Sequence, residues 1–518
     1  QGFETLRPVI RHLIPALACI ALSACTILPK VEDKPVSHAI AAPQHGLVSA
    51  ASRRINRQLT ADQSAFLLLE QAKEGLDWRL ALIDSATSSI DIQLYLWHQG
   101  ASSSLIFSRA LQAAERGVRV RILVDDFLLN SNEPALAALC REHPRFDVRI
   151  FNPGRVRNNT FGALAEWVSN FRSLNRRMHN KTFTVDRSLS IVGGRNIGDH
   201  YYGMDRNYNF IDLDVLASGP VVDDISDGFD AFWNSSHTFP GTHLSSKRMD
   251  SAVQTYRTSL RTSMEQDFAE ELRNYPLDRQ NWSEMLGKLP TGMHFGKAEF
   301  IQDHPEVEED NRQLVRTLDE VQARKHGEVT VVSPYLLPSD ASIENIKNAE
   351  TNGVDIKILT ASLEANNQPL VDGHYRKIRA RLFDNGAEVH EFRPDPNPQV
   401  RADADVPPVV AKRITLHAKT IVVDNRRSFI GSLNLDPRAL DINTESGLLI
   451  DSKPLARELN EWLEELYSSD NSWTVSRDAN GKIQWQSRDE TRTSEPPAKW
   501  SRRLMSRISG LLPIRDQL

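Results

Sequence analysis

The sequence predicts a duplicated α/β fold whose two similar halves build one site between them. Three observations carry this. A His-x-Lys motif occurs twice with the same residues downstream: HNKTFTVDRSLSIVGGRN from His179 to Asn196, and HAKTIVVDNRRSFIGSLN from His417 to Asn434. Strand-like and helix-like stretches alternate ahead of each copy, as in α/β units with a largely parallel sheet. Matched positions also keep a nearly constant separation: Gly117 with Gly353, Pro153 with Pro394, His179 with His417. Solenoid units are far shorter, so this is a repeat of whole domains.

The 518 residues suffice for two ordinary domains, and 40% hydrophobic with 25% charged residues is a globular composition. A net charge of −6 argues against a dedicated nucleic-acid binder, whose affinity comes from neutralising phosphates. Three cysteines, Cys19, Cys25 and Cys140, argue against a disulfide framework.

Residues 1–25 read as a targeting segment. Arg7 and Arg11 precede a short apolar run, Leu13 to Ala24, which is too short to span a membrane and ends Leu-Ser-Ala-Cys. This resembles a bacterial lipoprotein signal with Cys25 as the lipidated residue. Thr26 at the next position implies sorting to the outer membrane in such signals, with the chain facing the periplasm and the inner membrane as the alternative. Residues 26–60, rich in Pro, Ala, Ser and His, read as a tether.

The first half spans 61–236. Apolar residues from Ala65 to Leu82 recur at helical spacing. Ser89–Trp97 reads as a strand, Leu105–Ala114 as a helix, Val118–Val124 as a strand, Pro134–Arg141 as a helix and Val148–Phe151 as a strand. Residues 237–325 read as a linker with helices beside the core, their acidic run Glu306–Asp310 as solvated surface. The second half, 326–470, repeats the order with strands at Val329–Ser333, Gly353–Leu359 and Glu388–Pro394, and a helix at Leu455–Tyr467. The tail, 471–518, is polar to residue 498. It ends in a basic amphipathic helix with Trp500, Leu504, Ile508 and Leu512 on one face, beside Lys499, Arg502, Arg503 and Arg507. Such a helix fits a membrane interface and equally fits docking on the protein's own surface.

Strand parity decides what the motif can do. Side chains alternate faces, so His179 and Lys181 share one face, as do His417 and Lys419. Asp186 and Asp424 have the opposite parity. They count with the catalytic motif by sequence, but parity favours a supporting role. Gly194 and Ser432 let backbone N–H groups approach an anion, and Asn196 and Asn434 add amide donors, so these four are expected to hold phosphate with the two lysines.

Two imidazoles can divide the work of phosphoryl transfer. One attacks phosphorus and becomes a phosphohistidine; the other protonates the leaving oxygen and then deprotonates the acceptor. Lysines offset charge in the transition state. The motifs contain no ligand cluster of the metal-binding kind, so neither a metal nor another cofactor is expected. Each imidazole needs a partner to fix its tautomer. Asp212 and Glu445 follow the two motifs at similar distances, and halves packed face to face would let each carboxylate hold the opposite half's histidine.

These residues resemble the phospholipase D superfamily, marked by two H-x-K-x4-D motifs with G-G/S and Asn downstream. Longer runs, among them SLNRRMHNKTFTVD, VGGRNIGDHYYG, GVRVRILVDD, LHAKTIVVD and IGSLNLDPR, resemble the class C bacterial cardiolipin synthases from about residue 65 to the end. The resemblance implies a pseudo-symmetric duplicated phospholipase D fold, two mixed sheets flanked by helices and sharing one active site. It implies His179 as nucleophile and His417 as general acid/base. It also implies transfer of a phosphatidyl group to phosphatidylglycerol at a membrane surface, with phosphatidylethanolamine as a donor and an unidentified small accessory protein as a partner to look for. The superfamily also holds hydrolytic phospholipases and nucleases. Arg155, Arg157, Arg172, Arg176 and Arg177, interleaved with Phe161, Trp167 and Phe171, suit an anionic headgroup surface or single-stranded nucleic acid. The acidic balance, the anchor and the basic terminal helix favour lipid, and no nucleic-acid partner is expected.

Overall fold

The computed structural model describes residues 34–125, 133–154, 175–245, 251–306, 312–316, 327–488 and 490–518, with residues 26, 27, 31, 156 and 157. The targeting segment with Cys25 lies outside them. So do Arg155, Phe161, Trp167, Phe171 and Arg172 of the basic-aromatic stretch, and residues 307–310 of the acidic run.

The first half runs α1 (Leu47–Asn56), β1 (Ser64–Leu69), α2 (Ala72–Ser85), β2 (Ser89–Leu94), α3 (Ala101–Glu115), β3 (Arg119–Asp125), α4 (Glu133–Glu142) and β4 (Phe146–Phe151). The motif supplies β5 (Thr182–Val185) and β6 (Leu189–Gly193). Then come β7 (Tyr208–Ile211), β8 (Asp214–Ser218), α5 (Val221–Asn234) and β9 (Thr238–Pro240). Helices α6 (Ala252–Gln266) and α7 (Ser283–Lys288) lead to β10 (His294–Gln302).

The second half repeats the plan. It runs β11 (Glu328–Val332), α8 (Asp340–Thr351), β12 (Asp355–Ala361), α9 (Pro369–Asp384), β13 (Glu388–Phe392), α10 (Pro398–Ala404) and β14 (Arg413–Leu416). The second motif gives β15 (Thr420–Val423) and β16 (Arg427–Gly431), followed by α11 (Pro437–Asp441), β17 (Ser446–Asp451) and α12 (Lys453–Tyr467). Strands β18 (Ser472–Arg477), β19 (Ile483–Ser487) and β20 (Glu490–Arg492) precede the terminal helix α13 (Trp500–Leu511).

Hydrogen-bonded neighbours run β9-β4-β3-β2-β5-β6-β8-β1 in the first half and β10-β17-β16-β15-β11-β12-β13-β18-β19-β20 in the second. Within these two orders only β2-β3-β4 and β11-β12-β13 are parallel. The sheets are therefore mixed, not largely parallel. The alternating stretches do make parallel crossovers, but each motif folds into an antiparallel hairpin that turns the rest of its sheet. Strand β10 joins the halves: His294–Gly296 pairs with β1, and Lys297–Gln302 with β17. A common core seals this joint. Phe66, Ile211 and Val215 of the first half pack in one cluster with Leu359, Ile414, Leu448 and Leu463 of the second. Each such side chain contributes about 1.5–3 kcal/mol on burial.

Four sequence expectations change. The helical reading of Ala65–Leu82 divides into β1 and α2. The run AFLLL is nearly continuous, and an apolar run buried on both faces of a sheet does not reveal its period. The linker 237–325 contains β10, the equivalent of β1 in the second half. The tail 471–518 contains three strands that extend the second sheet. Residues 34–60 are no loose tether. Arg149 donates to Pro35 O at 2.7 Å, Arg121 to Ser37 O at 2.9 Å, and Val48 and Ile55 of α1 are fully buried.

Candidate active site

The two motifs meet across the joint between halves, and the backbone sets their positions first. Strands β7 and β14, one from each half, pair in parallel from Tyr208–Arg413 to Ile211–Leu416. The pairing continues into the second motif, where His417 N–H donates to Ile211 O at 2.8 Å. Across the pseudo-two-fold, Met178 bridges Thr444 and His179 N–H donates to Thr444 O at 2.9 Å. Each histidine is thus registered against the residue just before the other half's carboxylate.

Those carboxylates complete the arrangement. His179 Nδ1 lies 2.8 Å from Glu445 Oε2, and His417 Nδ1 lies 2.6 Å from Asp212 Oδ2. With Nδ1 so engaged, Nε2 is the nitrogen each ring presents for chemistry. The histidines are 8% and 4% exposed, so only a substrate entering the joint reaches them. Lys181 Nζ donates to His179 O at 2.6 Å. Lys419 Nζ donates to His417 O and lies 3.2 Å from His417 Nε2.

Burial and charge set the protonation. Burial, then Lys181 and Lys419, push His179 well below an ordinary imidazole; burial and Lys419 push His417 down likewise. Burial also lowers the ammonium of Lys181 to about 7 and that of Lys419 to about 8. The carboxylates differ. Burial alone would raise Asp212, but His417 and Lys419 outweigh it and hold Asp212 below the ordinary carboxylate range. At Glu445 burial wins and the carboxyl is pushed up.

Gly194 and Ser432, expected to cradle phosphate, instead serve the carboxylates. Gly194 N–H is taken by Leu213 O at 3.0 Å and Ser432 N–H by Ser446 O at 2.9 Å. A Cβ at Gly194 would stand 2.1 Å from Asp212 Oδ1, so glycine is what admits Asp212. At the matching position Ser432 Oγ donates to Glu445 Oε2. Asn196 is likewise turned to the fold: its Oδ1 accepts from Leu96 N–H at 3.0 Å and its Nδ2 donates to Tyr201 Oη at 2.9 Å. Asn434 is buried, and its Oδ1 has no partner among the described residues.

Asp186 and Asp424 stand apart from this chemistry. Asp186 accepts from the N–H groups of Thr87, Ser88 and Ser89 at 2.7–3.2 Å and from Thr87 Oγ1 at 2.8 Å. Asp424 accepts from Gly327 and Glu328 N–H at 2.7 and 3.2 Å. Both open their hairpin turns at φ of 54°, a left-handed conformation that Asp tolerates. Neither Asp186 nor Asp424 acts with the catalytic groups, against their place in the sequence motif: each ties the motif hairpin to the neighbouring strand.

Several residues around the imidazoles were not singled out from sequence. Tyr95 packs edge-on to His179 with ring centroids 5.0 Å apart, and Phe210 and Tyr201 flank His417 at 4.5 and 5.3 Å. Asp125 accepts from Met178 N–H at 2.9 Å, and Asp303 from Glu445 N–H at 3.0 Å, fixing the entry to each site segment. Tyr201 and Asp125 lie in the conspicuous runs VGGRNIGDHYYG and GVRVRILVDD, but nothing in their spacing says what they touch. Among the described residues no group of His, Cys, Asp and Glu is arranged to hold a metal ion.

Comparison with known proteins agrees with the duplicated fold. A family described as "Cardiolipin synthase, PLD-like domain" matches residues 80–233 and again 318–467, one domain per half. Cardiolipin synthase C of Escherichia coli is 33% identical over 467 residues, covering 87% of this chain and 96% of that protein. An uncharacterized Helicobacter pylori protein is 30% identical, covering 88% of this chain and 90% of its own length. Among solved structures, phosphatidylserine synthase of Haemophilus influenzae shares the fold, with a TM-score of 0.54 at 15% identity over 80% of this chain and 90% of that one.

Proposed function

The chain belongs to the cardiolipin synthase, phospholipase D-like family, and from that membership and the site geometry we propose how it makes cardiolipin. It is a phosphatidyltransferase that acts on phospholipids at membranes. His179 Nε2 attacks the phosphorus of a donor phospholipid. The phosphorus–oxygen bond to the leaving alcohol breaks, and His417, neutral in the empty site and protonated as the phosphate anion of the donor enters beside it, gives that oxygen the proton. The phosphatidyl group rests on His179 while the alcohol departs. The free hydroxyl of phosphatidylglycerol then yields its proton to His417 and attacks phosphorus. The phosphorus–nitrogen bond breaks, leaving cardiolipin and neutral His179. Lys181 and Lys419 offset the charge on the equatorial oxygens throughout.

One observation carries this reading: two imidazoles from opposite halves, each with Nδ1 held by the other half's carboxylate. The division of labour follows from the carboxylates. Asp212, held as an anion, stabilises an imidazolium at His417, as an acid/base requires. The less charged partner of His179 suits a nucleophile that enters the reaction neutral. Phosphatidylethanolamine is the proposed donor. Lipidation at Cys25, the periplasmic face and the outer membrane follow from the signal-like N-terminus, and an accessory protein remains a proposal on family grounds.

Purified protein in vesicles of phosphatidylglycerol and phosphatidylethanolamine tests the reaction, with products read by mass spectrometry. His179→Ala and His417→Ala each reduce cardiolipin formation by about 10³-fold or more, the scale of losing a nucleophile or an acid/base. Turnover retained in both variants would sink the mechanism. Phosphatidic acid in place of cardiolipin would mark hydrolysis instead of transfer.

A further inference from the structure

The terminal helix α13 is amphipathic the wrong way round for a helix packed on its own protein. Its inward face is small and polar. Ser506 Oγ donates to Asp372 Oδ2 at 2.6 Å, Ser509 Oγ to Leu370 O at 2.6 Å, and Arg502 to Leu363 O at 2.9 Å. Gly373 of α9 and Gly510 let the two backbones touch: a Cβ on Gly373 would stand 2.1 Å from Ser506 O. The outward face is apolar. Trp500 is 77% exposed and Leu511 86%, and Leu504, Met505, Ile508 and Leu512 are exposed with them. Among the described residues only four other large hydrophobic side chains are exposed, none of them on this helix. A docked helix normally buries its apolar stripe, so this face has a different partner.

The surroundings say which. Arg507 on the helix and Lys499 at its N-cap are exposed, in a chain whose net charge is −6. A cationic border on an apolar face fits anionic headgroups over acyl chains. The helix is also tied to the wall of the catalytic joint. Arg502 and Arg413 approach the two oxygens of Glu364 at 3.5 and 3.7 Å, and the Arg413 guanidinium lies over the Tyr208 ring at 5.1 Å. Tyr208 packs on Phe210, which packs on His417. Beyond α13, Arg438 N–H donates to Leu518 O, and Asn175, four residues before His179, donates to Gln517 Oε1 at 2.8 Å. The segment that presents the apolar face thus braces both sides of the site.

We infer that α13 is the membrane-docking element of this enzyme, inserting Trp500, Leu504, Ile508 and Leu511 into an anionic phospholipid surface so that the joint between halves opens toward its substrates. The inference rests on the phospholipid substrate proposed above. No helix among the described residues is long and apolar enough to cross a membrane, so this contact is interfacial.

The test is vesicle binding, which involves no turnover. The full chain carrying Cys25→Ala, to remove any acyl anchor, is floated with vesicles of phosphatidylglycerol and phosphatidylcholine. Trp500→Ser with Leu511→Ser weakens partitioning about a hundredfold or more, as expected for two large apolar side chains no longer buried. Lys499→Glu with Arg507→Glu weakens binding to phosphatidylglycerol vesicles and not to pure phosphatidylcholine. Brominated phosphatidylglycerol quenches the fluorescence of the parent chain more than that of Trp500→Phe, a readout independent of the disruptive variants. Wild-type partitioning in the serine variant, or equal quenching in parent and Trp500→Phe, overturns the inference. So does a parent chain that ignores vesicles but forms a dimer abolished by Trp500→Ser, since the face would then belong to a second copy. A chain that docks through α13 yet makes no cardiolipin sinks the reaction and leaves the docking standing.

Discussion

Replacing Asp212 by Asn should cost far more activity than replacing Glu445 by Gln, although both changes neutralise the carboxylate behind a histidine. The difference lies in how many acceptors each uses. Asp212 Oδ2 faces His417 Nδ1 at 2.6 Å while Oδ1 accepts from Leu213 N–H at 2.9 Å. An amide offers only one oxygen. If that oxygen stays on Leu213, the NH₂ group faces His417 Nδ1 and forces the ring's proton onto Nε2, the wrong tautomer for a base. If it turns to His417, the NH₂ group opposes the Leu213 N–H. Either way the anion that stabilises imidazolium is gone. A hydrogen bond to a charged group is worth about 1.5–3 kcal/mol, so kcat falls about 10- to 150-fold at 1.36 kcal/mol per decade. Glu445 uses one oxygen: Oε2 serves both His179 and Ser432, while Oε1 has no partner among the described residues. A glutamine can put its carbonyl at Oε2 and its NH₂ at Oε1. With a carboxyl that burial already pushes up, the loss should be that of a neutral bond, about 0.5–1.5 kcal/mol, or roughly 2- to 12-fold. Cardiolipin formed per unit time in saturating vesicles measures both. Equal losses, or a larger loss for Glu445→Gln, would refute the reasoning that the two dyads are electrostatically unlike.

Two further outcomes follow from the same geometry. Asp186→Ala strips the partners from three backbone N–H groups and should lower stability by about 2–4 kcal/mol, with a smaller effect on kcat of the folded protein; urea denaturation beside kinetics measures the split. Lys181 and Lys419, lowered to about 7 and about 8, lose charge in the free enzyme as pH rises through that range. kcat/KM should therefore fall above about pH 7–8. In the substrate complex the phosphate anion draws both values back up, so the matching decline in kcat sits at higher pH; coincident limbs would count against lysine–phosphate pairing.

The duplication was legible because it is a pattern in sequence: the motif recurs, and so do the stretches before it. The cross-half pairing was also legible. Parity sets Asp186 and Asp424 apart, matched positions after the two motifs offer Asp212 and Glu445, and these carboxylates lie 2.6 and 2.8 Å from the opposite half's imidazole. Residues whose roles depend on contact between halves were not legible. Gly194 looks like an anion-binding glycine, and only the 2.1 Å approach of Asp212 to its would-be Cβ shows what the missing side chain admits. Asn196 has the chemistry of a phosphate donor, yet its amide is taken by Leu96 and Tyr201. The run AFLLL is equally apolar on every face, so periodicity could not separate strand β1 from helix α2. Its strand character comes from being sandwiched between β8 and β10.

A symmetric duplication alone would give two identical histidines, and phosphoryl transfer needs two different ones. The departures from symmetry in this chain fall where they create that difference. Gly194 and Asp212 in one half stand where Ser432 and Glu445 stand in the other. The shorter carboxylate approaches a bare glycine and keeps both oxygens engaged, one on His417, which favours its anion. The longer one shares a single oxygen between His179 and a serine hydroxyl, and burial then drives it toward its neutral form. Among the described residues the aromatic contacts divide the same way, Tyr95 edge-on to His179 against Tyr201, Phe210 and Tyr335 around His417. The backbone frame is shared: parallel pairing of β7 with β14 on one side, the Met178–Thr444 bridge on the other. Duplication thus supplies the register that brings two imidazoles to one phosphorus. On the proposed mechanism, two pairs of substitutions next to that frame set the imidazole that attacks phosphorus apart from the one that carries the proton.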